Sequence, residues 1–451
     1  DDYAVADRSG TVLNVVSNDR DPDVSADGRG LQVASLAPLE AGVGTAAIVD
    51  SARIRYTPAP TFTGTASITY TVQDADGATA TGRAKVLVPF AAASDTVDAT
   101  SRDPQVLAVG PLLDEGRLEI LTATYAGATV TAYRVGGAEP ASLSPRQVLD
   151  ADAQGAIDVA LADLNSDGRR DVAAAVFRDG QIRWYENQSQ DTLAFAPGRV
   201  LPSEVPGAYA VHPADVDGNG TTDLFAASRL DGRIVWFSNR GDMAPSPDSL
   251  FHPARTVVDS LDGLESIAVG DVNGDGQPDV VSATYDDNTI AWHANRADAA
   301  YRTTSIDTAA TGALSVHLAD LDDDGRLDIL AGLAGPDRVV WYRQTSADPV
   351  QFAPPAVIAE GVDDPEAVDS GDVDGDGDRD VLSAGFGNGT VAWHLNDGTT
   401  HFPQTLQLTD SAREVLDAKP VDLDGDGDLD VAIAAQADGV VAWFENHRRP
   451  E

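Results

Sequence analysis

Six short runs of this chain place oxygen-bearing side chains at alternate positions around a glycine. They are DLNSDGRRD (Asp163, Asn165, Asp167, Arg169, Asp171), DVDGNGTTD (Asp215, Asp217, Asn219, Thr221, Asp223) and DVNGDGQPD (Asp271, Asn273, Asp275, Gln277, Asp279). Then follow DLDDDGRLD (Asp320, Asp322, Asp324, Arg326, Asp328), DVDGDGDRD (Asp372, Asp374, Asp376, Asp378, Asp380) and DLDGDGDLD (Asp422, Asp424, Asp426, Asp428, Asp430). Carboxylate or amide oxygens stand at positions 1, 3, 5 and 9 of each run, and glycine at position 6. A hard cation such as Ca2+ takes six to eight oxygens, which alternate side chains on a tight turn can supply. The glycine gives the turn its backbone freedom, and the carbonyl of position 7 is the natural extra ligand. The spacing predicts six calcium sites, each ligated by protein throughout and so structural rather than catalytic. Solvated acidic turns are the alternative, and six copies in register weigh against it.

The elements that must position these loops are strands. An EF-hand needs a glutamate at position 12 and helices on both sides, whereas these loops are flanked by runs such as IAVG and VVSAT. A dockerin sets two loops on helices, and calcium rolls repeat every nine residues. Here the first aspartates lie 52, 56, 49, 52 and 50 residues apart, by subtraction along 163, 215, 271, 320, 372 and 422. That period belongs to a propeller blade. After each loop come an apolar strand, a tight turn (RDGQ, LDGR, DDNT, GPDR, GNGT, ADGV) and a strand with a tryptophan: IRWYEN, IVWFSN, IAWHAN, VVWYRQ, VAWHLN, VAWFEN. The equivalent tryptophans Trp184, Trp236, Trp292, Trp341, Trp393 and Trp443 read as packing between blades rather than as ligand sites.

Aligned backwards, GPLLDEGRLEILTATY (110–125) is a seventh, decayed copy in which Pro111 and Leu113 replace the first two ligands; Glu115 and Glu119 alone stay acidic. This copy is expected to bind no calcium. The array ends on VAWFEN, the third strand of its unit, so the fourth strand of that blade must come from elsewhere. Thr96 to Thr100 matches the slot of RTVVD (255–259) and is the candidate for closing the ring.

Composition bounds the function. With 73 acidic against 30 basic residues the formal charge is −43, which makes nucleic acid and anionic membranes poor partners. There is no cysteine and no run of about 18 apolar residues, so the sequence predicts neither disulfides nor membrane insertion. The start at Asp1 reads as a mature or trimmed product, and further tandem domains or self-assembly are expected.

Residues 1–90 form a separate unit. GTVLNVV, LQVASL, ARIRYTP, ASITYTVQD and GRAKVLV alternate apolar and polar residues between turn signals, which predicts an antiparallel sandwich. SNDRDPD (17–23) and YTPAPTFTGTASITYTVQDADG (56–77) resemble the cadherin-like or bacterial Ig-like repeats of large secreted adhesins, which implies a stalk or spacer. Asp19, Asp21, Asp23 and Asp74 are either surface turn residues or a further calcium site.

The loops of residues 91–451 resemble FG-GAP or VCBS-type repeats, the repeats of the integrin α-subunit propeller and of many secreted bacterial proteins. The resemblance implies an all-β chain: a β-sandwich followed by a seven-bladed β-propeller with calcium in the loops between first and second strands. It also implies a secreted or cell-surface location in a prokaryote.

Variable residues on such a scaffold mark the partner site. Seven residues before each tryptophan position stand Tyr125, Phe177, Arg229, Tyr285, Ala334, Phe386 and Gln436. Six before each first loop aspartate stand Ile157, Tyr209, Glu265, Leu314, Glu366 and Leu416. Both sets should lie on the face away from the loops. There Tyr125, Phe177, Tyr209, Arg229, Tyr285 and Phe386 suit a glycan or an extracellular protein, or else cap the inner ends of the blades. Enzyme signals are weak, with no H-E-x-x-H, G-x-S-x-G, P-loop or dinucleotide motif. A calcium-binding adhesion or recognition module is therefore the first reading. A structural component of a surface filament or layer, and a polysaccharide-active lyase or hydrolase, are the alternatives.

Overall fold

Local sequence makes every long element a strand. A computed structural model describes residues 2–5, 10–16, 31–60, 62–90, 95–113, 118–134, 147–189, 192–241, 244, 246–296, 301–399 and 401–447. The first unit is two facing sheets. One orders Asp2–Val5, Thr79–Val88, Gly64–Gln73 and Gln32–Leu36, and the other Thr11–Asn14, Arg53–Pro58 and Gly44–Ile48. Alternation sends Ile54, Tyr56, Ile68 and Tyr70 into one core while the residues between them are half-buried or exposed. One expectation is corrected: the sandwich is not wholly antiparallel, because Asp2–Val5 runs parallel to Thr79–Val88. Parallel pairing lets the chain enter at the edge of the sheet without a hairpin. Asp74 caps its own turn, accepting the amides of Asp76 and Ala78 at 2.9 and 2.8 Å. Asp19, Asp21 and Asp23 lie outside the described residues.

Beyond the first unit the described residues form one two-stranded ribbon, Gln344–Ala347 with Val350–Phe352, and seven four-stranded antiparallel sheets. Their innermost strands are Pro104–Gly110, Ala156–Ala162, Ala208–Ala214, Leu264–Gly270, Ala313–Ala319, Pro365–Gly371 and Val415–Val421. Each touches the next, and the last touches the first, so the sheets stand in a circle. The second strands, such as Asp171–Val176 (DVAAAV) and Asp380–Gly385 (DVLSAG), are buried at every residue. Their short apolar runs have no polar face because a sheet packs on each side. Trp184, Trp236, Trp341, Trp393 and Trp443 fill the space between sheets, each 7% exposed or less; Trp292 is half-buried.

The final sheet takes its outer strand from the far end of the repeat array. Asp95–Asp98 pairs antiparallel with Val440–Phe444, with Asp98 opposite Val441 and Asp95 opposite Trp443. The strand stops two residues before the Thr100 expected from the alignment. There Asp98 Oδ1 accepts both the amide and the hydroxyl of Thr100 at 2.6 Å, turning the chain out of the sheet.

Candidate metal loops and the opposite channel mouth

Each acidic run follows an inner strand and is wound by its own carboxylates. The position-1 aspartates Asp163, Asp215, Asp320, Asp372 and Asp422 accept two amides each from positions 4 to 6, and Asp271 accepts three, at 2.5 to 3.2 Å. Position 6 has φ between 82° and 99° in every loop, a left-handed backbone that glycine alone adopts freely. A second left-handed residue stands at position 4: Ser166, Gly218, Gly274, Asp323, Gly375 and Gly425. Glycine in four of those six places was the visible signal for it.

Position 9 has structural partners of its own. Asp171, Asp223, Asp279, Asp328, Asp380 and Asp430 are completely buried. One oxygen of each accepts the amide of Asn187, Asn239, Asn295, Gln344, Asn396 or Asn446 at 2.6 to 2.9 Å. In five loops the other oxygen accepts the position-2 amide of the same loop. In the third loop Asp279 Oδ2 instead accepts the indole N–H of Trp292 at 3.0 Å. Position 9 therefore latches the loop's start to the end of the third strand. The decayed copy keeps this latch, since buried Glu119 accepts the Leu112 amide at 2.8 Å. Its Glu115 lies outside the described residues.

The residues that take the latch were missed in the sequence, although they close five of the six tryptophan strands as asparagine and the sixth as glutamine. Their side-chain amides also donate to the position-2 carbonyl of the preceding sheet: Leu112, Leu164, Val216, Val272, Leu321 and Val373, at 2.7 to 3.2 Å. Neighbouring loops are thus stapled to one another.

Four loops gather three carboxylates closely enough to hold a metal ion. The groups are Asp215, Asp217 and Asp223; Asp320, Asp322 and Asp328; Asp372, Asp374 and Asp380; and Asp422, Asp424 and Asp430, each with ligand oxygens within 4.8 Å of one another. The remaining two loops carry Asn165 and Asn273 at position 3, whose amide oxygens are also hard-cation ligands. Electrostatics favours a cation here. Burial first, then repulsion by neighbouring carboxylates, pushes Asp223, Asp279 and Asp328 up to about 6 and Asp171 to about 7. Asp380 and Asp430 rise to about 8. In the fourth loop Arg343 sits against these charges, its Nε 2.5 Å from Asp322 Oδ2. At position 7 the side chains of Arg169, Thr221 and Arg326 reach the carbonyls of Asn187, Asn239 and Gln344. Gln277, Asp378 and Asp428 hold the same place in the other loops.

At the opposite end of the inner strands, six residues or about 20 Å away, the two variable sets meet. Tyr125 and Phe177 pack as tilted rings with centroids 6.1 Å apart, and Phe177 and Tyr209 edge to face at 6.4 Å. Arg178 lies over Tyr125 at 4.4 Å and Arg229 over Tyr209 at 5.0 Å; Arg229 also pairs with Glu265. Tyr285 is 43% exposed and Phe386 half-buried, and neither joins this run of rings. Tyr209, Glu265, Leu314 and Glu366 line a cavity of about 360 Å³ that continues between the inner strands. Deeper in it Lys419 Nζ lies 3.4 Å from Asp417 Oδ1 and 3.6 Å from Asp369 Oδ2. Burial, with Glu265 nearby, raises Glu366 to about 7, whereas burial alone takes His293 and His394 down to about 4. Those two histidines are clamped between hydroxyls, His293 by Ser282 and Thr303 and His394 by Ser383 and Thr405, so they are packing groups.

Comparison with known proteins agrees with this architecture. The model of the FG-GAP-like repeat matches residues 163–226, 215–282, 271–331 and 372–433, more than half of the 451 residues. That of the bacterial Ig domain matches residues 1–87. No curated protein matches the chain. Among solved structures, a periplasmic gluconolactonase from Pseudomonas aeruginosa is 16% identical at a TM-score of 0.47, over 76% of this chain and 93% of the other. A quinonprotein alcohol dehydrogenase-like protein from Bacteroides thetaiotaomicron is 10% identical at 0.45, over 91% and 94%. An ancestral GH74 enzyme is 11% identical at 0.48, over 90% of this chain and 57% of its own length.

Proposed function

The chain belongs to the FG-GAP-like repeat family, and on that premise we propose that it is an extracellular recognition module of a prokaryote. Calcium in six loops holds the propeller, and a glycan or extracellular protein binds on the opposite face. The observation that carries the reading is the division of labour between the two ends of the inner strands. One end gathers buried carboxylates that repel one another; at the other, Tyr209 and Glu265 line a cavity, with Phe177 and Arg229 packed against them and Tyr125 against Phe177. Bacterial Ig and FG-GAP-like repeats are typical of extracellular proteins, and no helix among the described residues is long and apolar enough to cross a membrane. The cation would be held by positions 1, 3, 5 and 9 with the position-7 carbonyl. It supplies positive charge that offsets the repulsion and takes no part in chemistry.

A glycan array and a pull-down from surface-protein extracts, both with calcium-loaded protein, test the reading. Retention of a defined ligand that is lost in Tyr209→Ala at unchanged melting temperature supports it; a ligand indifferent to every residue of that face overturns it. A polysaccharide-active enzyme is the second reading, favoured by one pair of groups. Burial raises both carboxyls, Glu366 to about 7, and the Arg229 guanidinium opposes that rise at Glu265 alone, so the two acids sit in unlike surroundings, as an acid and a base must. Turnover on a polysaccharide panel that disappears in Glu366→Gln would move the assignment to that reading.

A further inference from the structure

The last loop differs from the others at position 7. In three loops that side chain is a donor that bonds to a backbone carbonyl: Arg169 to Asn187, Thr221 to Asn239 and Arg326 to Gln344. In the last loop it is Asp428, 4% exposed, with no hydrogen-bond donor on either carboxylate oxygen. Its charged neighbours are Asp424, Asp426 and Asp430, all of the same sign. A carboxylate buried without a donor beside three others of the same sign is unfavourable unless a cation meets it. The fifth loop has an aspartate at the same place, but Asp378 leans away toward Gly398 and is only half-buried.

The last loop also adjoins the junction with the first unit. Asp430 Oδ1 accepts the Asn446 amide at 2.7 Å, and Asn446 forms an isolated antiparallel bridge with Phe90. The next amide, of His447, donates to the Pro89 carbonyl at 2.6 Å. Phe90 and Leu87 are buried in one cluster with Trp393 and Phe444. In two other sheets the same bridge is made from within, Asn187 to Phe195 and Asn239 to Phe251. In the last sheet the partner is instead the segment that leaves the sandwich.

We propose that Asp428 is a side-chain ligand to the cation of the last loop, making a five-carboxylate site that fills before the others and fastens residues 89 and 90 to the propeller. The proposal rests on the reading above that these loops hold calcium. A fifth negative ligand raises affinity for a hard cation, because affinity in such loops follows ligand charge. With the loop filled, Asp430 and hence Asn446 are fixed, and the bridge to Phe90 with them.

The test uses the full chain stripped of metal, with Asp428→Asn, Asp428→Thr and Asp378→Asn beside the wild type. Threonine is the residue the second loop already carries at this place, so it guards against a variant that does not fold. Calcium is titrated by calorimetry while amide exchange is followed at Asn446 and His447. Wild type and Asp378→Asn should show one site at least about tenfold tighter than the rest, and exchange at both amides should slow as it fills. Asp428→Asn and Asp428→Thr should lose the tight site alone and need the higher calcium of the remaining loops to slow exchange. Calcium binding by wild type with no change in either Asp428 variant overturns the proposal and leaves the family reading intact. Loss of the tight site without any effect on exchange at Asn446 and His447 overturns the link to the junction. A wild type that binds no calcium overturns the underlying reading as well.

Discussion

The Tyr133 hydroxyl donates to Asp98 Oδ2 across 2.7 Å. Asp98 belongs to the outer strand that completes the last sheet, and Tyr133 to the third strand of the first. The same bond joins consecutive sheets elsewhere, from Tyr185 to Asp150 and from Tyr342 to Asp307, each at 2.9 Å. The seam where the ring closes thus uses a contact that the repeat already makes between neighbours, and Asp95–Asp98 stands where a native outer strand would. Tyr133→Phe removes a hydrogen bond to a carboxylate, worth about 1.5–3 kcal/mol. The variant should unfold at lower denaturant with an unchanged slope, and Tyr185→Phe should cost a similar amount. An undiminished midpoint in Tyr133→Phe would show that the seam is held by backbone pairing alone.

The amide staples give a second prediction. Asn239 Nδ2 donates to the carbonyls of Leu164 and Thr222, both at 2.7 Å, in a buried setting. Asn239→Ala leaves two carbonyls without that donor, so the expected loss is about 1–3 kcal/mol. Asn239→Gln should recover part of it, because glutamine does the same work in the fourth loop through Gln344. Equal losses for alanine and glutamine, measured by urea unfolding, would mean that shape rather than the amide matters here.

These two contacts mark what was legible in the chain and what was not. The loops, the tryptophans and the borrowed outer strand are local patterns repeated at a fixed period, and the period alone places them. The borrowed strand was readable because a propeller sheet that ends on its third strand must be completed from somewhere. Tyr133 to Asp98 and Asn239 to Leu164 are contacts between sheets, and the letters alone do not say which residues face across that gap. The asparagines were visible as letters yet carried no assignment, since a strand-ending asparagine usually caps a turn. The letters suggest position 9 only as a ligand, whereas its latch needed the decayed copy, where Glu119 keeps the bond beside Pro111 and Leu113. The channel residues Lys419, Asp417 and Asp369 come from two inner strands and meet only once the ring is closed.

Removal of metal should make stability fall with rising pH. Asp380 and Asp430 are raised to about 8 by burial and neighbouring carboxylates, from an unfolded value of about 4. A carboxyl whose folded value lies above its unfolded one binds protons more tightly when folded. Its stabilising contribution is full below the unfolded value and is lost as pH rises through the folded one. The histidines oppose this below about 6.5, because His212, His293 and His394 stay neutral in the fold down to about 4. The window above the histidines is therefore pH 6.5 to 8.5, where Asp158 and Glu366, both raised to about 7 by burial, add a slope of the same sign that calcium leaves in place. There the melting temperature in chelator should drop by about 1–3 °C, as about 1–2 kcal/mol would produce in a chain of this size. Saturating calcium should flatten the loops' share of the profile by holding the carboxylates ionised, and its binding should release protons, seen as a buffer-dependent heat. Identical pH profiles with and without calcium would remove the loops from the stability of the ring.

The opposite face yields the last prediction. Tyr209 stands between Phe177 and Arg229, and Arg229 ties it to Glu265, so one ring orders both the aromatic run and the ion pair at the cavity mouth. Tyr285 is apart from that run and 43% exposed, packing against Gly312 rather than another ring. If the mouth is the ligand site, Tyr209→Ala should weaken binding by about tenfold or more, the loss of at least 1.4 kcal/mol expected of a central aromatic. Tyr285→Ala and Phe386→Ala test how far the site extends, and binding should fall in them only if the ligand spans several blades. Tyr209→Phe separates stacking from hydrogen bonding: retained affinity assigns the work to the ring face, and loss comparable to alanine assigns it to the hydroxyl beside Glu265. Melting curves should barely move in any of these variants, because the half-buried rings lie at the end of the blades, outside the tryptophan-filled core. A destabilised Tyr209→Ala with ligand binding intact would instead make the aromatic run a cap on the blades and return the search for the ligand to the rest of the surface.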